Sequence, residues 1–138
     1  MKLSMILSQL STGMAGTISI FVLTLVFSLP LGLLIAFGRM SKNRIVSGIF
    51  RLYISLMRGT PLMLQIMFIY YGLPLMLHVQ VSDFPAAILA FVANYAAYFA
   101  EIFRAGRESI PQGQLEAARD LGLTGTQVFD YSRHLRLP

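Results

Sequence analysis

Long uncharged stretches of the chain alternate with short charged ones. No charged residue occurs from Leu3 to Gly38 or from Gly59 to Ser82, and Phe84 to Phe103 contains only Glu101. A helix rises about 1.5 Å per residue and the hydrocarbon core of a bilayer is about 30 Å thick, so roughly 20 apolar residues can cross it. The pattern predicts an all-α membrane protein with three spans, at about residues 14–37, 61–77 and 84–103.

Small residues in two of these predicted spans favour close contact between helices. Gly32 and Ala36 in the first span are four residues apart, a spacing that lets another helix approach. The third span is rich in alanine, which suits a helix packed among others rather than one facing lipid: Ala86, Ala87, Ala90, Ala93, Ala96, Ala97 and Ala100.

The segment between the first two predicted spans is basic and amphipathic. It contains no acidic residue, and its basic residues are Arg39, Lys42, Arg44, Arg51 and Arg58. Its apolar positions follow one side of a helix, with the arginines set apart: Ile45, Ile49, Leu52 and Leu56. We interpret residues 45–57 as an interfacial helix that lies on the membrane before the chain turns into the second span.

The distribution of basic residues predicts the orientation. If the amino terminus is outside, ten of the eleven basic residues fall on the inner side and only Lys2 stays outside. Inner loops of membrane proteins carry such an excess, so the segment after the third span is predicted to be cytoplasmic. A cleaved signal peptide is a poor alternative, because its apolar region has about 7 to 15 residues and Ile18 to Phe37 is longer.

Composition excludes several function classes. The chain has no cysteine, only two histidines far apart, and no pair of carboxylates within a span, so neither an enzyme site nor a metal site is predicted. No phosphate-binding loop is present, hence ATP hydrolysis would need another subunit, and no cofactor is expected. The net charge of +5 is explained by membrane orientation, and no nucleic-acid partner is predicted.

Polar side chains within the predicted spans are candidates for a translocation path. Gln65 should find a partner across helices, either as a structural hydrogen bond or along a solute path. Asn94 lies deeper in the third span, and Tyr98 follows one helical turn later. Glu101 is near the cytoplasmic end, where it can pair with Arg104.

Two short helices are predicted after the third span. Pro111 and Gly113 interrupt the incoming helix, Gln114 to Leu121 favours a new one, and Gly122 can end it in a left-handed conformation. Thr124 then starts a second helix with the spacing of a capping box. Because an isolated helix needs about 12 to 15 residues to be stable in water, the first short helix must be stabilised by contact with a partner.

The first short helix has two apolar sides made of small and aliphatic residues. Ala117 and Leu121 line one side, and Leu115, Ala118 and Gly122 line the adjacent side. Small residues would let the surface of a partner come close.

Glu116, Ala117 and Ala118, followed after three residues by Gly122, come shortly after a predicted span. This arrangement resembles the EAA loop of the inner-membrane permease subunits of ABC importers, and most closely the polar amino-acid uptake branch. The other segments that carry the resemblance are residues 104–106, 109–114, 58–62 and 70–74, which read RAG, SIPQGQ, RGTPL and YYGLP.

The resemblance implies a role in an ATP-driven, binding-protein-dependent importer of polar amino acids in the bacterial inner membrane. Its partners would be two ATP-binding subunits, a second permease subunit that is identical or related, an extracytoplasmic solute-binding protein and the lipid bilayer. In the family that the chain resembles, the short helix of the EAA loop docks on the ATP-binding subunit. By resemblance, Glu116 supplies an acidic contact or a helix amino-terminal cap, Ala117 and Ala118 allow close approach, and Gly122 reverses the chain.

The resemblance covers about residues 13–129, and it implies a partial transmembrane domain over residues 1–129 with a cytoplasmic coupling loop at 104–129. Residues 130–138 diverge from the family pattern, and further spans usually follow there. We therefore expect a truncated permease that cannot transport alone. The alternative is a small membrane interaction protein without transport activity of its own.

Overall fold

The computed structural model describes residues 2–134, without the side chains at 129 and 131–134. Within that range all regular structure is helical, which confirms the all-α fold class. Of the divergent tail predicted at 130–138, residues 135–138 lie outside the described residues. The helices are α1 (Lys2–Arg39), α2 (Arg44–Gly59), α3 (Leu62–Met67), a π-helical segment (Phe68–Gly72), α4 (Leu73–Leu77), α5 (Asp83–Glu108), α6 (Gln112–Asp120) and α7 (Gly125–His134).

The described residues divide after Phe103 into two compact units, so each is treated separately below. Among residues 2–134, α1 and α5 are long and apolar enough to cross a membrane. Residues 44–59 and 62–77 meet that standard only as a pair, and the two parts are bent by 109°. The bend agrees with an amphipathic helix that precedes a span, and the span boundaries stay predictions.

The second predicted span is an interrupted helix. Its middle, Phe68–Gly72, is π-helical, and Pro74 follows two residues later. Proline has no amide hydrogen, and its ring crowds the carbonyl four residues earlier, here that of Tyr70. π-helical segments occur mostly as single turns inside α-helices, as this one does. His78, with φ of 53°, ends the helix in the left-handed region.

The first unit is built on close contact between α1 and α5. A Cβ atom added at Gly32 would lie 2.7 Å from Phe99 Cβ and 3.0 Å from the carbonyl oxygen of Ala96. Ala36, one turn after Gly32, is fully buried. The predicted small-residue pair on α1 is thus at the helix contact, where it faces the buried alanines of α5: Ala96, Ala97 and Ala100.

Hydrogen bonds join α2 to α1 near its start and to α5 near its middle. Ser47 Oγ donates to the carbonyl of Arg39 at 2.8 Å, and Arg39 Nη1 donates back to Ser47 Oγ at 3.3 Å. The Tyr53 hydroxyl donates to the carbonyl of Ala93 on α5 at 2.5 Å. Its apolar side remains exposed, as an interfacial helix requires: Ile45, Ile49, Leu52 and Leu56.

Candidate functional site

Gln65 and Asn94, both predicted candidates for a path, meet in the first unit. Asn94 Nδ2 donates to Gln65 Oε1 at 2.9 Å and to the carbonyl of Met57 at 3.0 Å. Gln65 Nε2 donates to the same carbonyl at 3.0 Å and to Thr60 Oγ1 at 2.7 Å. Met57, Thr60, Gln65 and Asn94 are called the amide cluster below. The predicted interhelical hydrogen bond of Gln65 is therefore present.

The amide cluster satisfies the carboxyl end of α2. The last carbonyls of a helix have no partner within it, and Met57 is in the last turn of α2. Thr60 contributes further, because its amide and its hydroxyl both donate to the carbonyl of Leu56, at 3.1 and 2.7 Å. Side chains from α3 and α5 thus stabilise the place where the chain bends.

Tyr98, the third candidate, lies one turn beyond the amide cluster on α5 and has a different neighbour. The guanidinium carbon of Arg58 is 5.4 Å from the centroid of the Tyr98 ring, a cation–π distance. The Tyr95 ring is 6.2 Å away. The structure therefore brings together two of the three candidates. Sequence reasoning missed the contact of Arg58 with Tyr98, although Arg58 opens one of the segments that carry the resemblance.

The second unit contains the proposed coupling residues on α6 and in the turn after it. Gly122 has φ of 72°, so the left-handed helix end predicted there is confirmed. The amide of Leu123 donates to the carbonyl of Ala118 at 3.1 Å, and that of Gly122 to the carbonyl of Arg119 at 2.9 Å. This is the Schellman pattern, which satisfies the last carbonyls of α6.

The start of α6 differs from the prediction. Helix α6 begins at Gln112, directly after Pro111, so Gly113 is inside the helix and does not interrupt it. A proline before a helix leaves no amide to satisfy, and the amide of Gln114 donates to the Pro111 carbonyl at 3.0 Å. Glu116 consequently lies beyond the first turn, where the attraction of the helix dipole for an acid has faded. This removes the physical basis for an amino-terminal cap by Glu116.

One side of α6 is half-buried, and the other is exposed. Leu115 and Ala118 are half-buried, as are Leu123 and Val128, and α6 contacts α7. On the other side Ala117 is exposed, and so is the adjacent Glu116. Leu121 is 78 % exposed, which is high for a large apolar side chain. Within the described residues, α7 thus supports one of the two apolar sides and leaves the Ala117 side open.

Helix α7 begins after Thr124, and half of the predicted capping box is confirmed. Gln127 Oε1 accepts from the Thr124 amide at 2.9 Å, as expected when a glutamine side chain reaches back to the cap. The Thr124 hydroxyl donates to the same oxygen at 3.0 Å.

Before α6, Arg104 and Glu108 form an ion pair in the last turn of α5. Within the described residues, no group of three acidic, histidine or cysteine side chains could hold a metal ion.

The sequence of this chain is similar to that of known membrane transport proteins. Residues 28–138 match the family described as binding-protein-dependent transport system inner membrane component. The L-cystine transport system permease protein TcyB of Bacillus subtilis (strain 168) is 42 % identical over 115 residues, which are 83 % of this chain and 49 % of that protein. The arginine transport system permease protein ArtQ of the same organism is 43 % identical over 111 residues, or 80 % and 51 % of the two chains.

A solved structure is also similar. The crystal structure of an amino acid ABC transporter with histidines has a TM-score of 0.78 and 35 % sequence identity, over 94 % of this chain and 61 % of that chain. The chain spans about half the length of the curated relatives it matches.

Proposed function

Because the chain belongs to the family of binding-protein-dependent transport system inner membrane components, we propose that it is a permease subunit of an ATP-driven importer of polar amino acids. It is an inner membrane protein of that family. The amino-acid class is supported by what the relatives are named for, cystine and arginine. The proposed partners are two ATP-binding subunits, a second permease subunit that is identical or related, and an extracytoplasmic solute-binding protein.

The coupling part of the proposal depends on one observation, the exposed side of α6. A nine-residue helix is too short to be stable alone, so its exposed apolar side chains favour a partner surface. We propose that Ala117 and Leu121 pack into a groove of an ATP-binding subunit, with Ala118 close behind. Glu116 would supply an acidic contact at the edge, and the turn at Gly122 would return the chain toward α7.

The solute path is the second part of the proposal. Asn94 donates to Gln65, and both side chains donate to the Met57 carbonyl, so we propose that they position the helices around a path. Tyr98, which is 39 % exposed, has more surface available for direct contact with solute. The amino terminus is proposed to be outside, and α6 cytoplasmic.

Co-purification with the matching ATP-binding subunit tests the coupling proposal. Ala117→Trp places a large side chain on the exposed side of α6 and should abolish co-purification, and Glu116→Lys should weaken it. Ala105→Trp is the matched control, since Ala105 is also exposed but precedes α6. Equal recovery of the ATP-binding subunit with Ala117→Trp and with the unchanged chain would refute docking through this side.

A further inference from the structure

A cavity of about 470 Å³ opens between α1, α2 and α5 in the first unit, beside the amide cluster. Its volume is within the range of roughly 300 to 1,000 Å³ that is usual for small-molecule sites. None of the proposed coupling residues lines this cavity, and of the three path candidates only Tyr98 does. The residues around it are Arg39, Arg51, Ile54, Ser55, Arg58, Gly59, Tyr98 and Glu101.

The lining of the cavity is positively charged. Its lining includes three arginines, Arg39, Arg51 and Arg58, and one acidic residue, Glu101. Two of the arginines are held in place, because Arg39 donates to Ser47 Oγ and Arg58 lies over the Tyr98 ring. Positioned guanidinium groups lose less freedom on binding, and their planar donors match the oxygens of a phosphate group.

Exposed apolar surface lies on the same helix as the cavity. Leu52 and Leu56 of α2 are 62 % and 53 % exposed, and they alternate along the chain with the cavity residues Arg51 and Ser55. Leu52 is one helical position, about 100°, from Arg51, so the apolar side adjoins the cationic side at Arg51, whereas Arg58 lies farther around the helix. Such a surface suits an amphipathic ligand with an anionic head and hydrocarbon chains. A free anion would use only the cationic part.

We propose that this cavity binds a phosphate group, and that the group belongs to the headgroup of an anionic phospholipid. The headgroup phosphate contacts Arg51 and Arg58, and the acyl chains pack along Leu52 and Leu56. Basic cavities between helices at the inner surface of a membrane are suited to anionic headgroups. The inference rests on the proposed orientation, in which α2 lies at the inner surface, and does not depend on which solute is carried or on coupling to an ATP-binding subunit.

Titration of the detergent-purified chain with phosphatidylglycerol, followed by native mass spectrometry, tests the site. Phosphatidylglycerol should bind more tightly than phosphatidylcholine, whose headgroup has no net charge. Arg51→Gln and Arg58→Gln should each weaken its binding about five-fold, the effect of one basic residue near an anionic lipid. Arg44→Gln is the matched control, because Arg44 is an exposed arginine of the same helix outside the cavity lining, and it should leave binding unchanged.

Two further measurements identify the source of the phosphate and separate a loss of binding from a loss of folding. Arg51→Lys with Arg58→Lys keeps the charge and should retain the preference for phosphatidylglycerol. Displacement of the lipid by glycerol phosphate or inorganic phosphate at similar concentrations would assign the site to a free phosphate and overturn the lipid assignment. Equal weakening by Arg44→Gln, no preference over phosphatidylcholine, or displacement by a free amino acid would overturn the phosphate site itself.

Discussion

Asn94 Nδ2 donates to Gln65 Oε1 at 2.9 Å, and both side chains also donate to the carbonyl of Met57. These bonds join α5, α3 and the end of α2 at the 109° bend. Because the two amides share one backbone acceptor, removal of either also affects the other. The shared acceptor makes the pair suitable for a measurement of coupling.

A double-mutant cycle should show that Gln65 and Asn94 stabilise the bend together. We expect Gln65→Leu and Asn94→Leu each to reduce the free energy of unfolding by about 1 to 2 kcal/mol, the range found for interhelical hydrogen bonds in model membrane peptides. The free energy lost by the double variant should be smaller than the sum of the two single losses by about 0.5 kcal/mol or more. The reason is that either single substitution already breaks the hydrogen bond between the two side chains. Unfolding in detergent micelles measures this. Gln80→Leu, at an exposed position, is the control, and additivity at 65 and 94 would contradict the coupling.

Gly32 should be far less tolerant of alanine than Gly16 in the same helix. The Cβ added by Gly32→Ala would collide with Phe99 Cβ and with the Ala96 carbonyl, neither of which can rotate away. This substitution should therefore cost about 1 to 3 kcal/mol of stability. At Gly16 no described atom outside the adjoining backbone of its own helix lies within 4 Å of the added Cβ, so Gly16→Ala should be neutral or stabilising. Equal unfolding midpoints for the two variants would argue against the close contact of α1 with α5.

The left-handed residue at the end of α6 predicts opposite effects at two glycines. With φ of 72° at Gly122, Gly122→Ala should cost about 1 to 2 kcal/mol, and Gly122→Asn should cost less. Gly113 is inside α6 with open space around it, so Gly113→Ala should stabilise the helix. Amide hydrogen exchange over residues 117–123 should become faster with the first variant and slower with Gly113→Ala. The reverse order would show that the Schellman turn does not limit opening.

The proposed orientation predicts which positions a membrane-impermeant thiol reagent can reach. The chain has no cysteine, so single cysteines at Gln114 or Arg119 can be introduced without removal of others. In intact cells both should resist labelling, and both should react after the membrane is opened. A cysteine at Gln80, between the second and third predicted spans, should react in intact cells. Labelling of position 114 from outside would reverse the orientation and remove the basis for coupling through α6.

Sequence reasoning was most accurate where the physics is local. Gly122 was predicted to be left-handed because helix formers precede it and glycine alone lacks the steric penalty there. The glutamine that reaches back to Thr124 depends on residues three apart. The same reasoning was wrong at Gly113, where its weak helix propensity was overridden by Pro111, which starts the helix at Gln112.

The amino-acid sequence was sufficient to establish the helical class, the amphipathic helix before the second predicted span and the small-residue side of α1, because these depend on periodicity along one helix. Which groups meet became known only from the packing of the helices. Gln65 needed an interhelical partner, but Asn94 is 29 residues away, and Tyr53 reaches the carbonyl of Ala93 across 40 residues. Such pairs depend on where the helices cross and how far they bend. The packing of α1, α2 and α5 determines both, and no local sequence pattern predicts them.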